Sequence, residues 1–580
     1  MTQVQRGVLP NEPIFTRLLQ NLNEVKHVVV HDSGNGVDAD YPRLVSDVHH
    51  MQKELHQSLP ETVFEDERKI LRESNPYILV LLPGSYDFVV AALSVLSIGG
   101  AFAPLATGLL PEEMLYLVKG SKAVCILTDE KGLKLATQCQ ELAASQDVDV
   151  AVLRVSFGSV STNSEPIFEV DQELTIAPHR PSVMLYTSGT SGPPKGVVHT
   201  RQLFSEMHAL GSLNDVGLSH TPIHWASGML SLMGGVLAGA RTEIMSPSAE
   251  AVWERLRKGG LTNLGGSPRF WTELTTYYQD NLSKLPLNER NVYIQAVQSL
   301  HTATTRGSMP DPALLRFWRE DLGKRLQVNY GITEVGSSLM NTVDETDVNL
   351  ECCLGRPVSD AIIKLSEGDH GEMLVKKSTI YLNDEKATAA VFDSEGFYKT
   401  GDIVRRVGED YVFEGRVSTD FIKYRGMKVS IVETEMQLLQ LPFISEGCIL
   451  PVSHPSYGHI VAALIRLRDP KALHKTQTVE NLDLTALRDV LRDKLPVFML
   501  PTALRILEEG EEVPRTASLK VVRAKAAAEY FPLSNDGELP SNVETTDLND
   551  QEVWPQKAWD WGGLRVGKDR VNVSADLTFV

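Results

Sequence analysis

Thr187, Ser188, Thr190 and Ser191 interleave with Gly189 and Gly192 in the segment 185–196 (LYTSGTSGPPKG), and Lys195 adds a positive charge at its end. Glycines let a backbone turn sharply and present N–H groups and hydroxyls to one anion, so the composition is that of a phosphate-gripping loop. It is not a Walker loop, because Lys195 is followed by Gly196 and not by the Ser or Thr that ligates magnesium there. A plain Gly/Ser turn accounts for the small residues but leaves the Pro-Pro-Lys-Gly continuation unexplained.

Four further segments follow in the chain. Residues 329–334 read NYGITE and 398–402 read YKTGD; residues 415–426 read GRVSTDFIKYRG and 514–520 read PRTASLK. A buried Asp402 carboxylate is a bidentate acceptor of the kind that suits a vicinal diol. Taken together and in this order, the five segments resemble the adenylate-forming enzymes, which include acyl-CoA synthetases, luciferases and peptide-synthetase adenylation domains.

The resemblance implies ATP, magnesium and coenzyme A, and it implies roles. Thr187, Ser188, Gly189, Thr190, Ser191, Gly192 and Lys195 would hold phosphate. Asn329, Tyr330 and Gly331 would border the adenine, with the Tyr330 ring stacked on it. Thr333 would hold the α-phosphate and Glu334 the magnesium; Asp402 and Arg416 would bind the ribose. Lys520 would contact the carboxylate and α-phosphate during adenylation, and rotation of a small domain would then replace its face by the one carrying Lys423 for thiol attack. Attack of a carboxylate on a phosphate brings two anions together, so cations and backbone donors carry such a reaction and no general base is needed.

Three stretches are expected to border an acyl pocket: 222–228 (PIHWASG) with His224 and Trp225, 264–270 (LGGSPRF) with Gly266 and Ser267, and 301–310 (HTATTRGSMP) with Thr304 and Arg306. Relatives commonly have a glycine-rich loop at the third, where Arg306 replaces a small residue. A buried cation there needs an anion, either a second carboxylate on the acid or a phosphate. Ser418 stands at the hinge position where many relatives carry Asp or Lys. That serine and the wording KVSIVETE around Lys428 are similar to malonyl-type synthetases.

These residues must be positioned by strands and helices that the patterning supplies. Between about 75 and 240, strand-length apolar runs (YILVLLPG, AVCILTD, SVMLY) alternate with helical stretches (FVVAALSVLSIGG), the form of a layered α/β domain. After 357 come β-rich hairpins, then an α+β pattern from 416 onward. The expected fold is the adenylate-forming one: a large N-terminal domain at 1–415 with a small β subdomain at about 357–415, a mobile C-terminal α+β domain at 416–532, and a polar linker and tail at 533–580.

A chain of 580 residues exceeds what one core organises. The net charge of −19 argues against a nucleic-acid partner. The apolar stretch 86–105 is broken by a Gly pair and a Pro, so it reads as a buried helix and strand, not a membrane span. Five scattered cysteines are expected to be free thiols, and the N-terminus lacks the features of a signal or transit peptide, which points to the cytoplasm. The expected activity is that of an acyl-CoA synthetase acting on a small carboxylic acid. A stand-alone adenylation enzyme serving a carrier protein and a nucleotide-binding regulator without turnover are the alternatives.

Overall fold

Tyr77–Leu81 is buried at every position, as a strand covered on both faces must be. The structure, a computed structural model, describes residues 6–546 apart from 66–69, 75, 158–166, 188–193, 207–210, 247, 308, 311, 349, 351, 359–360, 377–379, 383–390, 417–420, 426, 440, 455–456, 469–481, 515–520 and 535–537. These residues fall into two compact units, one drawn from Met1–Thr187 and Lys195–Val417, the other from Ser418–Ala575.

In the first unit a seven-stranded sheet contains Tyr77–Leu81, which pairs in parallel with the central strand Ala101–Pro104 and with Cys125–Thr128. The helix Tyr86–Ser97 between them starts at Ser85, whose hydroxyl accepts the Phe88 N–H at 3.2 Å, and it is buried on nearly all sides. The apolar stretch 86–105 is therefore a buried helix, a turn and a strand. No helix among the described residues is long and apolar enough to cross a membrane. Pro181–Thr187 and Lys195–Thr200 form an antiparallel hairpin with Thr187 opposite Lys195.

Just beyond that hairpin, Arg201 is 6% exposed and donates to both carboxylate oxygens of Glu12, itself 5% exposed, and to the carbonyls of Leu96 and Gly100. Removing one partner of a buried pair leaves the other charge uncompensated, so Glu12→Ala is expected to cost about 3–5 kcal/mol. A double replacement by apolar residues should cost less. Urea denaturation measures both, and an unshifted midpoint for Glu12→Ala would show that the pair adds no stability.

A thirteen-stranded sheet forms the other large layer of this unit. Asn263–Gly266, Thr302–Arg306 and Gln327–Ile332 run parallel and adjacent, so their carboxyl ends lie side by side. Ligands of open α/β sheets bind beyond such ends. The hairpins after 357 are hydrogen-bonded onto this sheet, because Cys353–Pro357 pairs with Ser337–Asn341 on one side and with Asp410–Arg416 on the other.

The second unit packs its core on a six-stranded sheet built around Gly458–Leu467. The helix Leu484–Arg492 is capped by Asp483, which accepts the Ala486 N–H at 2.7 Å. The reading of 533–580 as linker and tail needs correction at its start. Glu544–Thr545 pairs with Ala503–Ile506, Val543 is buried in the core, and the Glu544 carboxylate accepts the Leu484 N–H at 2.6 Å. This segment is held mainly by backbone pairing and capping, which hydrophobic patterning does not register. The five cysteines form no disulfide.

Candidate functional site

Arg306 and Asn329 face each other in register on adjacent parallel strands, so the stretch expected to border the acid and the stretch expected to hold the nucleotide are neighbours. On the nucleotide side, Asn329 is held by Asn341, to which it donates at 2.8 Å, and by the Ser338 hydroxyl, from which it accepts at 2.9 Å. The Tyr330 hydroxyl donates to Asp402 at 2.7 Å across 72 residues of sequence. Asp402 is 2% exposed, takes its backbone support from the Thr400 hydroxyl at 3.1 Å, and lies opposite Arg416 on the next strand.

Gly331 is exposed, and Thr333 and Glu334 are half-buried in the tight turn that follows it. That turn is closed by the N–H groups of Val335 and Gly336 on the Ile332 carbonyl, both at 3.2 Å. Lys195 is exposed at the start of its strand. Ser188, Gly189, Thr190, Ser191 and Gly192 lie outside the described residues, as do the side chains of Thr187 and Arg416.

On the acid side, Arg306 ends a strand and is not in a loop, because Thr302–Arg306 pairs on both edges. Its guanidinium lies over the backbone of Gly265 and donates to the Thr304 hydroxyl at 3.2 Å. A side chain on Gly265 would collide with it. Burial pulls the Arg306 pKa down from its ordinary value, and among the described residues no carboxylate pairs with it. A guanidinium remains charged at neutral pH even so.

Gly266 abuts the Phe270 ring. The Ser267 hydroxyl accepts the Phe270 N–H at 3.3 Å, so Ser267 serves as the N-cap of Pro268–Asp280. His224 is buried edge-on to Trp225, which precedes the helix Ala226–Ala238.

His220 was not among the expected residues. Its ring stacks on Phe270 with centroids 4.0 Å apart, and its Nε2 lies 2.7 Å from the Gly265 carbonyl oxygen, so it donates there. A lone histidine just after a strand was the only sequence signal. Burial pushes its pKa down to about 4, assisted by the charge of Arg306, and burial alone pushes His224 down to about 3.

Both rings are thus neutral at pH 7. Their folded values lie below the ordinary 6.5, so the unfolded chain binds more protons as the pH falls below that value. The stability they contribute is present above pH 6.5 and is lost toward pH 4 and pH 3, at up to about 1.4 kcal/mol per pH unit for each. His220→Phe should therefore show a shallower loss of urea midpoint between pH 7.5 and 5.0 than the unaltered protein. Parallel curves would remove His220 as a source of acid sensitivity.

In the second unit, Lys423 is half-buried on Phe421–Tyr424, opposite Lys428, and its charge adds to partial burial in lowering the pKa of the half-buried His459. Lys520 lies outside the described residues. Among the described residues near it, the Val522 N–H donates to the Pro514 carbonyl at 2.8 Å. Arg523 then donates to both Glu435 oxygens at 3.1 and 3.0 Å.

Known proteins resemble this chain along most of its length. Residues 69–381 match the family described as AMP-binding enzyme. The chain is 34% identical to Acyl-CoA ligase oryP of Aspergillus oryzae (strain ATCC 42149 / RIB 40) over 562 residues, covering 94% of this chain and 97% of that protein. It is 27% identical to the malonate–CoA ligase of Arabidopsis thaliana over 75% of each. Among solved structures, a double mutant of o-succinylbenzoate CoA synthetase from Bacillus subtilis, bound to a product analogue, matches with a TM-score of 0.66 at 19% identity. That match covers 88% of this chain and 98% of that one.

Proposed function

Since the chain belongs to the AMP-binding enzyme family, we propose how its residues divide the work of an AMP-forming acid–thiol ligase. The protein uses ATP to convert a carboxylic acid to an acyl-adenylate, releasing pyrophosphate, and transfers the acyl group to coenzyme A. The observation that carries the residue assignment is the register of Arg306 with Asn329, which sets acid-facing and nucleotide-facing residues on neighbouring strand ends.

In this reading Asp402 accepts the ribose hydroxyls, with Arg416 on the adjacent strand. Tyr330 borders the adenine along with Asn329 and Gly331. The loop 187–192, Lys195 and Thr333 hold the phosphates. Glu334 would hold magnesium, whose positive charge offsets that of the phosphates. A single protein carboxylate suits magnesium, which is usually completed by phosphate oxygens and water.

The acid is small and carries a second anionic group. Arg306 supports this, since a half-buried guanidinium that no carboxylate pairs with among the described residues is costly unless an anion arrives with the substrate. The name of the Arabidopsis relative, malonate–CoA ligase, agrees. The unit Ser418–Ala575 is the mobile part that alternates Lys520 and Lys423.

Acid-dependent exchange of labelled pyrophosphate into ATP, run over a panel of mono- and dicarboxylic acids, tests the reading. Exchange with a short dicarboxylate and a coenzyme A thioester by mass analysis are expected. No exchange with any acid would leave a nucleotide-binding regulator. Exchange with acyl transfer only to a carrier protein would replace coenzyme A as acceptor.

A further inference from the structure

His199 lies in none of the five motifs, yet it ties the two large sheets of the first unit together beside the nucleotide residues. It is fully buried on Lys195–Thr200 in the seven-stranded sheet, and its Nε2 lies 2.9 Å from the Thr333 carbonyl oxygen in the thirteen-stranded one. A carbonyl only accepts, so Nε2 carries the proton and donates. The same carbonyl accepts the Gly336 N–H at 3.1 Å, closing the turn that presents Thr333 and Glu334.

Gly336 flanks the ring. Its φ of +72° is in the left-handed region, and a Cβ there would sit 2.7 Å from Cε1 and 2.8 Å from Nδ1 of His199. The position therefore admits only glycine for two independent reasons: the backbone angle and the approach of the imidazole. The ring is clamped between its own strand and this turn, so the place of the turn follows the place of the strand that begins at Lys195.

We propose that His199 is a positioning residue for adenylation: through the Thr333 carbonyl it sets the Thr333–Glu334 turn against the strand of Lys195. The inference rests on the phosphate and magnesium roles given to Thr333 and Glu334 above. A group held through a neighbour acts by distance, and misplacement by about 1 Å costs on the order of a hundred-fold in rate.

His199→Leu keeps the volume but removes the donor. It should lower pyrophosphate exchange by roughly ten-fold to a hundred-fold and raise the magnesium concentration for half-saturation several-fold. Conversion of a supplied acyl-adenylate to the thioester should change by less than about three-fold, because the phosphate chemistry is complete by then. His199→Gln, which can still donate to the carbonyl, should recover most of the loss. Unaltered exchange and magnesium dependence in His199→Leu would overturn the proposal, and so would equal loss in both half-reactions, which a purely structural role would give.

A measurement on the unaltered protein keeps the test open if the leucine variant does not fold. In ¹⁵N-histidine-labelled protein, the Nε2–H resonance of His199, identified by its loss in His199→Gln, should shift on addition of magnesium and ATP; a resonance that stays in place would overturn the proposal. This readout needs no turnover. Failure of the enzymatic reading, seen as no exchange with any acid, is thereby distinguished from failure of the role given to His199.

Discussion

Lys520→Ala is expected to slow adenylation by about thirty-fold to a thousand-fold, equivalent to ~2 to 4 kcal/mol of barrier, and to leave thioester formation from a supplied acyl-adenylate nearly intact. Lys423→Ala should do the reverse. One carbonyl meets an α-phosphate in the first step and a thiol in the second, so the cation useful to the first has no work in the second. Both lysines belong to the C-terminal part of the chain. Lys423 is on a short strand whose hairpin leads directly into the helix Ile431–Leu439, and that helix carries Glu435.

Glu435 also accepts the Ile449 N–H at 2.9 Å and pairs with Arg523, three residues beyond Lys520. Arg523, just after the Lys520 segment, is thus fixed to the element that follows the Lys423 hairpin, and the proposed alternation has this unit turn to exchange the two lysines. Purified variants assayed separately for each half-reaction decide the matter. Equal impairment of both steps in both variants would sink the alternation, and little change in either would make both lysines ordinary surface charges.

Arg306→Ala is expected to raise the KM for the preferred dicarboxylate by roughly thirty-fold to several-thousand-fold, the ~2 to 5 kcal/mol typical of removing one partner of a desolvated charge pair. A monocarboxylate of equal length should lose little, because it brings no second anion. It can even gain, since the variant no longer holds a shielded guanidinium whose only hydrogen-bond partner in the described structure is the Thr304 hydroxyl. Equal loss for both acids would assign Arg306 to general pocket structure, and a rise confined to the KM for ATP would assign it to the phosphates.

The sequence carried the local part of this site well. The run SVMLY before the phosphate-type loop is a strand, and the apolar stretch 86–105 is a buried helix and strand, because composition and period act within a few residues. What it did not carry were pairings set by sheet register. His199 meets Thr333 across 134 residues, and His220 meets Gly265 across 45. Neither histidine has a neighbour in sequence that marks it. Ser267 was legible as a pocket residue and equally as a helix cap before Pro268, and the structure shows the cap. Arg306 was expected in a loop of small residues; the β-branched Thr302, Thr304 and Thr305 beside it favour the strand that is observed.

The two-residue strand Glu544–Thr545 does more than lengthen its sheet. By pairing with Ala503–Ile506 it occupies the outer rim of the six-stranded sheet, where bare N–H and C=O groups would otherwise be a template for another molecule's strand. Being only two residues long, it offers little rim of its own, and its carboxylate at Glu544 is committed to the end of a helix. The pairing of Glu544–Thr545 thus covers one rim of this sheet against another strand. A version of this protein trimmed at 532, where the hydrophobic pattern ends, would trade a clean boundary for a sticky one.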